Sequence, residues 1–387
     1  METKNIGLRG IKVADTRISD INGAQGKLIY RGYNIMDLTE NSSYEETAYL
    51  LLHDSLPSMK ELSVFRSMIS EARFIPKQMQ KNMGNWRKDA DPMDMLQAFV
   101  AALAGYYDEE FSSKEASYER AINLIAKVPT IVASWQRIRN DMELIEPDPS
   151  LSHAANFLYM MSGEKPDKDV ERIFDVCLIL HAEHTFNAST FTARQVASTR
   201  AHMYSAASAA IGSLSGELHG GANYEVMKML LDIGHVEKAG SWIKERVARN
   251  ERVMGMGHAV YKTFDPRARV LKEMSRQLAA KTGQPWFAIT EGVEEATIAE
   301  IKRKKSMDIY PNVDLYSASI YYMLDIPMDL NTPIFAISRV AGWAAHVIEE
   351  KFAEAAPKPA LYRPKAVYVG KDCGPDGCEY KPINLRT

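Results

Sequence analysis

Two histidines, one carboxylate and several arginines in this sequence sit where packing alone does not require them. Glu217-Leu218-His219-Gly220-Gly221-Ala222-Asn223 sets a histidine before two glycines and a new helical run. The N-terminus of that helix offers free N–H groups and a positive dipole end. Either feature keeps His219 neutral and able to donate a hydrogen bond to a carbonyl. Val253-Met254-Gly255-Met256-Gly257-His258 carries a second histidine in a glycine-rich loop, followed by Lys262 and then Asp265-Pro266-Arg267. Tyr310-Pro311-Asn312-Val313-Asp314 places a carboxylate at the start of an apolar helical run. Each loop also reads as a turn and cap, with Asp314 as the N-cap. Together they are the parts for proton abstraction beside a carbonyl, with neutral donors stabilising the enolate. Arginines would hold a small polycarboxylate.

Two further charges stand out. Arg339 is the one permanent charge in the apolar run Pro333 to Ile348, where Thr332 can cap and Pro333 suits the first turn. A buried guanidinium needs an anion, either an internal carboxylate or a ligand's. Ile173, Cys177, Leu180 and His184 follow one helical face, with His181 a turn before the last of them. His184 is a satisfied core histidine or a ligand. His-x-x-His hints at metal, but Glu183 does not complete a His-Glu-x-x-His motif and no third ligand is evident.

The elements that must hold these residues are helices. Ser43 followed by Glu46 reads as a capping box for a helix that Pro57 ends. Helical segments follow at about 93–107, 117–140, 151–161, 167–185, 192–212, 222–232, 236–249, 265–281, 287–304, 314–324 and 333–353. Alternation is scarce, apart from a small hairpin expected around Lys27-Leu28-Ile29-Tyr30. The fold class is therefore all-α. The small residues Ser205 to Gly212 point to close helix contacts in a core or a homodimer interface.

Composition excludes other classes. The chain has 387 residues, with 47 Lys+Arg against 50 Asp+Glu, so nothing favours nucleic acid. No window approaches the ~18 apolar residues of a membrane helix, and no apolar signal core opens the chain, so the cytoplasm is the default. No glycine-rich dinucleotide or phosphate loop is present. Cys177 reads as a core residue. Cys373 and Cys378 read as free thiols of an exposed tail, with a local disulfide as the alternative suited to an oxidising or hyperthermophilic interior.

At these residues the chain closely resembles the citrate synthase family of short bacterial and archaeal type. The resemblance runs in order through Tyr30-Arg31-Gly32-Tyr33, His184-x-x-Asn187-Ala188-Ser189-Thr190-Phe191, His219-Gly220-Gly221-Ala222, Gly255-Met256-Gly257-His258, Asp265-Pro266-Arg267, Pro311-Asn312-Val313-Asp314, Ser338-Arg339-x-x-Gly342-Trp343-x-x-His346 and Arg363-Pro364. It implies an all-α homodimer with a large domain, residues 1–219 and 326–387, and a small domain, 220–325, that closes over the cleft. Gly220-Gly221 is the candidate hinge.

The implied reaction joins oxaloacetate, acetyl-CoA and water to give citrate and CoA, with no metal or other cofactor. By the same resemblance, Asp314 removes the acetyl methyl proton, His219 stabilises the enol and His258 polarises the ketone. His184, Arg267 and Arg339 bind oxaloacetate, and Arg363 reaches the partner subunit's site. Val253, Met254, Gly255, Met256, Gly257 and Lys262 meet CoA. The nearest rival is 2-methylcitrate synthesis from propionyl-CoA, since one methylene is worth only about 1–3 kcal/mol.

Overall fold

Alternation from Ile18 to Asn34 becomes a three-stranded antiparallel sheet, Ser19–Asn22, Lys27–Tyr30 and Tyr33–Asn34, in sequence order. Ser19 pairs with Tyr30 and Asn22 with Lys27, so the expected hairpin forms around a turn at residues 23–26. The structure, a computed structural model, describes residues 7–8, 10–106, 113–371 and 373–386. Helices dominate the rest, with sixteen α-helices among the described residues.

The helix Asn331–Lys351 is the axis of the core. It is buried along nearly its whole length and packs against helices Lys114–Arg139, Ala188–Ser198, Met203–Leu214, Tyr44–His53 and Lys168–His181. Trp343 and Trp135 are fully buried on this axis and its neighbour. Burial of a large apolar side chain is worth roughly 1.5–3 kcal/mol. Arg339 is buried midway along the same helix. The helices Ala222–Ile233, Val236–Ala248, Pro266–Thr282, Trp286–Lys305 and Val313–Met323 pack chiefly on one another. No helix among the described residues is long and apolar enough to cross a membrane.

Several local expectations change. Ser43 does cap its helix, accepting from the Glu46 N–H, but the helix ends at His53, where Asp54 turns left-handed, and not at Pro57. Residues 192–212 form two helices, because Arg200 adopts φ 65° and His202 then caps Met203–Leu214 by accepting from the Ser205 N–H. That second helix packs its small residues on helices Ala188–Ser198 and Pro92–Ala102 within the same chain. The helix expected to run to 185 stops at His181, so His184 lies in the loop beyond it and leaves the apolar stripe. A helix at Met59–Ala72 with a full Ser58–Glu61 capping box has no counterpart among the expected segments. Thr332 lies inside its helix, not at the cap, and its hydroxyl donates to the Gly220 carbonyl at 3.0 Å. Cys373 and Cys378 form a disulfide, the alternative pairing and not the free thiols expected. Four residues lie between them, and the Gly374-to-Gly377 turn brings their Cα atoms to 4.8 Å.

Candidate active site

The loops that carry His258 and Asp314 are tied together by backbone. The Gly257 N–H donates to the Tyr310 carbonyl at 2.7 Å, and the Asn312 N–H donates to the Gly255 carbonyl at 2.9 Å. The Asn312 side chain also donates to the Gly257 carbonyl at 2.9 Å. Gly255 turns at φ +77°, where a Cβ would lie 2.9 Å from Leu315, so glycine is required for both conformation and space. Asn312, not Asp314, is the helix N-cap, accepting from the Asp314 N–H at 2.9 Å. The carboxylate of Asp314 is thereby left free, with no hydrogen-bond partner among the described residues. Burial raises its pKa to about 6, against the pull of Arg267.

His258 and His219 each have one nitrogen occupied by backbone N–H groups. His258 Nδ1 accepts from the Val260 N–H at 3.0 Å and the Tyr261 N–H at 3.2 Å. Its proton is therefore assigned to Nε2. His219 is the converse. Its Nε2 accepts from the Ser189 N–H at 3.2 Å, with the Ser189 hydroxyl 2.9 Å away, which assigns the proton to Nδ1. Asn187 caps the helix that supplies that N–H. Burial, helped by Arg267, lowers the pKa of His258 to about 4; burial, helped by Arg339, lowers His219 to about 4. His219 is thus neutral as expected, with desolvation and the Arg339 guanidinium as the causes.

His184 is buried. Its ring meets His258 edge to face at 5.4 Å between centroids, and its Nε2 lies 3.3 Å from the Tyr261 hydroxyl. Burial and then Arg267 hold its pKa well below the ordinary value. His181 donates from Nδ1 to the Cys177 carbonyl of its own helix at 2.8 Å, and its Nε2 is buried with no partner among the described residues. Among the described residues, no group of three His, Cys, Asp or Glu could hold a metal ion.

The two buried arginines differ. Arg267 is already paired: Nε and Nη2 donate to both Asp265 oxygens at 3.0 and 2.8 Å. Burial alone would lower its pKa, but Asp265 holds it raised. Asp265 also accepts from the Val313 N–H at 3.2 Å, which fixes this pair against the Asp314 helix. Arg339 donates from Nε to the His181 carbonyl at 2.6 Å, yet its Nη2 is buried with no partner among the described residues. Burial lowers its pKa to about 10, opposed by Glu183. A buried guanidinium left partly unsatisfied is what a ligand carboxylate would complete.

Structure thus brings His184, His219, His258, Arg267, Arg339 and Asp314 under one another's influence: the fields of Arg267 and Arg339 both reach His184 and Asp314. Arg363 is exposed on the C-terminal segment and joins none of these contacts. Of the glycine-rich loop, Val253 and Gly255 are buried. Met254 faces a cavity of about 680 Å³ with Gly221 and Thr332, while Gly257 and Lys262 line another of about 450 Å³ with Lys305 and Tyr310. Gly220 is close-packed, its Cα so near Thr332 that a Cβ would lie 2.8 Å from the threonine methyl. Tyr261, Asp265 and Ser189 were legible only as neighbours in motifs; their roles as packing partner, guanidinium clamp and histidine anchor come from contacts made in space.

The chain is similar to known proteins along nearly its whole length. The family profile described as "Citrate synthase, C-terminal domain" matches residues 7–365. The citrate synthase of Haloferax volcanii is 42% identical, covering 98% of both chains. The citrate/2-methylcitrate synthase of Bacillus subtilis is 39% identical, covering 94% of this chain and 96% of its own. Among solved structures, citrate synthase from Pyrobaculum aerophilum superposes with a TM-score of 0.88 at 39% identity over 98% of this chain and 95% of that one. A ternary complex of carboxymethyl coenzyme A and oxaloacetate with citrate synthase of Thermoplasma acidophilum gives 0.88 at 32% identity, covering 97% of this chain and 98% of that one.

Proposed function

As a member of the citrate synthase family the chain condenses acetyl-CoA with oxaloacetate to give citrate and CoA, and we propose that the site above carries this reaction. The observation that supports it is a pair of neutral imidazoles with opposite tautomers beside a free, partly buried carboxylate. Asp314 takes the methyl proton of the acetyl thioester. Its raised pKa brings it nearer to a carbon acid than an exposed aspartate would be. His219 donates Nδ1–H to the thioester oxygen and holds the enol without itself being charged. His258 donates Nε2–H to the ketone oxygen of oxaloacetate as the carbon–carbon bond forms. Water then hydrolyses the citryl thioester and CoA leaves. This chain's residues supply each of these roles without a cofactor.

His184, Arg267 and Arg339 bind oxaloacetate. Because Asp265 already neutralises Arg267, Arg339 is the main source of uncompensated positive charge. The 253–257 loop and Lys262 bind CoA. Residues 220–325 close as a small domain over the large one, a reading supported by the mutual packing of helices from Ala222 to Met323. The chain acts as a homodimer in which Arg363, on its exposed C-terminal segment, completes the partner's site.

The test follows CoA thiol release from purified protein with oxaloacetate, comparing acetyl-CoA and propionyl-CoA. A higher kcat/KM with acetyl-CoA supports citrate formation. The B. subtilis relative that carries both names makes methylcitrate synthesis the second reading, and a preference for propionyl-CoA would select it. No release with either substrate would sink the catalytic assignment.

A further inference from the structure

We propose that the N-terminal hairpin, Ser19–Asn22 with Lys27–Tyr30, is a strut that positions the His184 segment against the His258 loop. The inference rests on the reading of the site given above. At one end, the cross-strand pair Ser19 and Tyr30 grips the residues on either side of His184. The Ser19 hydroxyl donates to Glu183 Oε1 at 2.8 Å and accepts from the Thr185 N–H at 3.2 Å. The Tyr30 hydroxyl donates to the Glu183 carbonyl at 2.7 Å and accepts from the Glu183 N–H at 3.1 Å. Thr185 stands at φ 50°, a conformation that a β-branched residue holds only when its surroundings impose it. The grip of Ser19 supplies that constraint. His346 braces the same carboxylate from behind, with Nε2 3.0 Å from Glu183 Oε1.

At the other end, the turn presses on the loop that carries His258, Tyr261 and Lys262. The Lys262 N–H donates to the Gly23 carbonyl at 2.9 Å. A Cβ at Gly23 would lie 2.9 Å from the Val260 carbonyl carbon and closer still to its oxygen. At Gly26 it would lie 2.6 Å from the Phe264 carbonyl oxygen. Backbone is thus packed on backbone at both corners of the turn. Between the two ends run four paired residues per strand, a span of about 10 Å at ~3.3 Å per residue. A paired ladder keeps that length where a single loop would not. The two imidazoles that would flank the ketone therefore stand on supports joined by one rigid element. Tyr261 completes the connection, with its hydroxyl at His184 and its ring 4.8 Å from that of His258. No residue of the hairpin touches the reacting groups, so its role is positioning.

Gly23→Ala tests this. Gly23 is not in the left-handed region, so alanine fits its backbone and only the added methyl acts. The methyl must push residues 259–262 away. A displacement of this kind lowers kcat by about 10- to 100-fold and raises the oxaloacetate KM, with the loss persisting well below the melting temperature. Gln25→Ala, at an exposed position of the same turn, keeps wild-type constants. Ser19→Ala loosens the other end and raises the oxaloacetate KM while leaving the acetyl-CoA KM unchanged; it decides the matter alone if Gly23→Ala does not fold. Wild-type kcat and oxaloacetate KM in folded Gly23→Ala or Ser19→Ala would overturn the proposal. Failure of the underlying functional reading is distinct, because the unmodified chain would then release no CoA.

Discussion

Asp314→Asn is expected to make this protein more stable and inactive, and only in a defined pH window. Burial raises the folded pKa of Asp314 from 3.8 to about 6. The ionised carboxylate is therefore disfavoured in the fold relative to the unfolded chain. At 1.36 kcal/mol per pH unit that cost is about 3 kcal/mol. Asp314 keeps partial access to solvent, which screens it, so about 2 kcal/mol is the figure to expect. The sign follows from proton counting. Between pH 3.8 and 6 the folded state binds more protons, so stability falls as pH rises and the full cost is present above 6. Asparagine has nearly the same shape and loses no side-chain hydrogen bond, since Asp314 makes none among the described residues. With an unfolding entropy of about 2.1 cal/mol/K per residue, the gain in Tm at pH 8 is about 2–3 °C. The variant should match wild type at pH 3.5 while losing about 10²–10⁴-fold in kcat. Urea denaturation at pH 8 and pH 3.5 measures it. Equal stability at pH 8, or the same advantage at both pH values, would refute the assignment of Asp314 as a destabilised, desolvated base.

Three further expectations test the remaining groups. The acid limb of kcat/KM should have its midpoint near 6, set by Asp314, because His219 and His258 are neutral down to about pH 4; a midpoint near 4 would move the base role elsewhere. Arg339→Met should abolish the rise in Tm that oxaloacetate gives and raise its KM by about 30-fold or more, equivalent to at least ~2 kcal/mol for a buried charge pair; a retained oxaloacetate shift in a thermal melt would contradict the assignment. Titration of denatured, unreduced protein should find one thiol, Cys177, and three after reduction, since Cys373 and Cys378 are paired; three before reduction would show the tail thiols free.

Much of this protein is written in local sequence. The 3.6-residue period and the cap at Ser43 mark helices without reference to the rest of the chain, because each pattern acts within one or two turns. The residue types of the site were likewise legible, since a histidine beside glycines or an arginine in an apolar run is anomalous wherever it folds. What tertiary structure decided was which atoms of those residues are free. Nothing local makes Ser189 occupy His219 Nε2, thirty residues away, or leaves Arg339 Nη2 unpaired while Arg267 is clamped by Asp265. The stop at His181 is held by distant groups, with Arg339 Nε donating to the His181 carbonyl and the Tyr30 hydroxyl donating to the Glu183 carbonyl, whereas the break at Arg200 is followed by a local cap at His202. Sequence names the donors and charges; proton positions, pKa values and separations arise from burial and distant backbone, which only the assembled fold supplies.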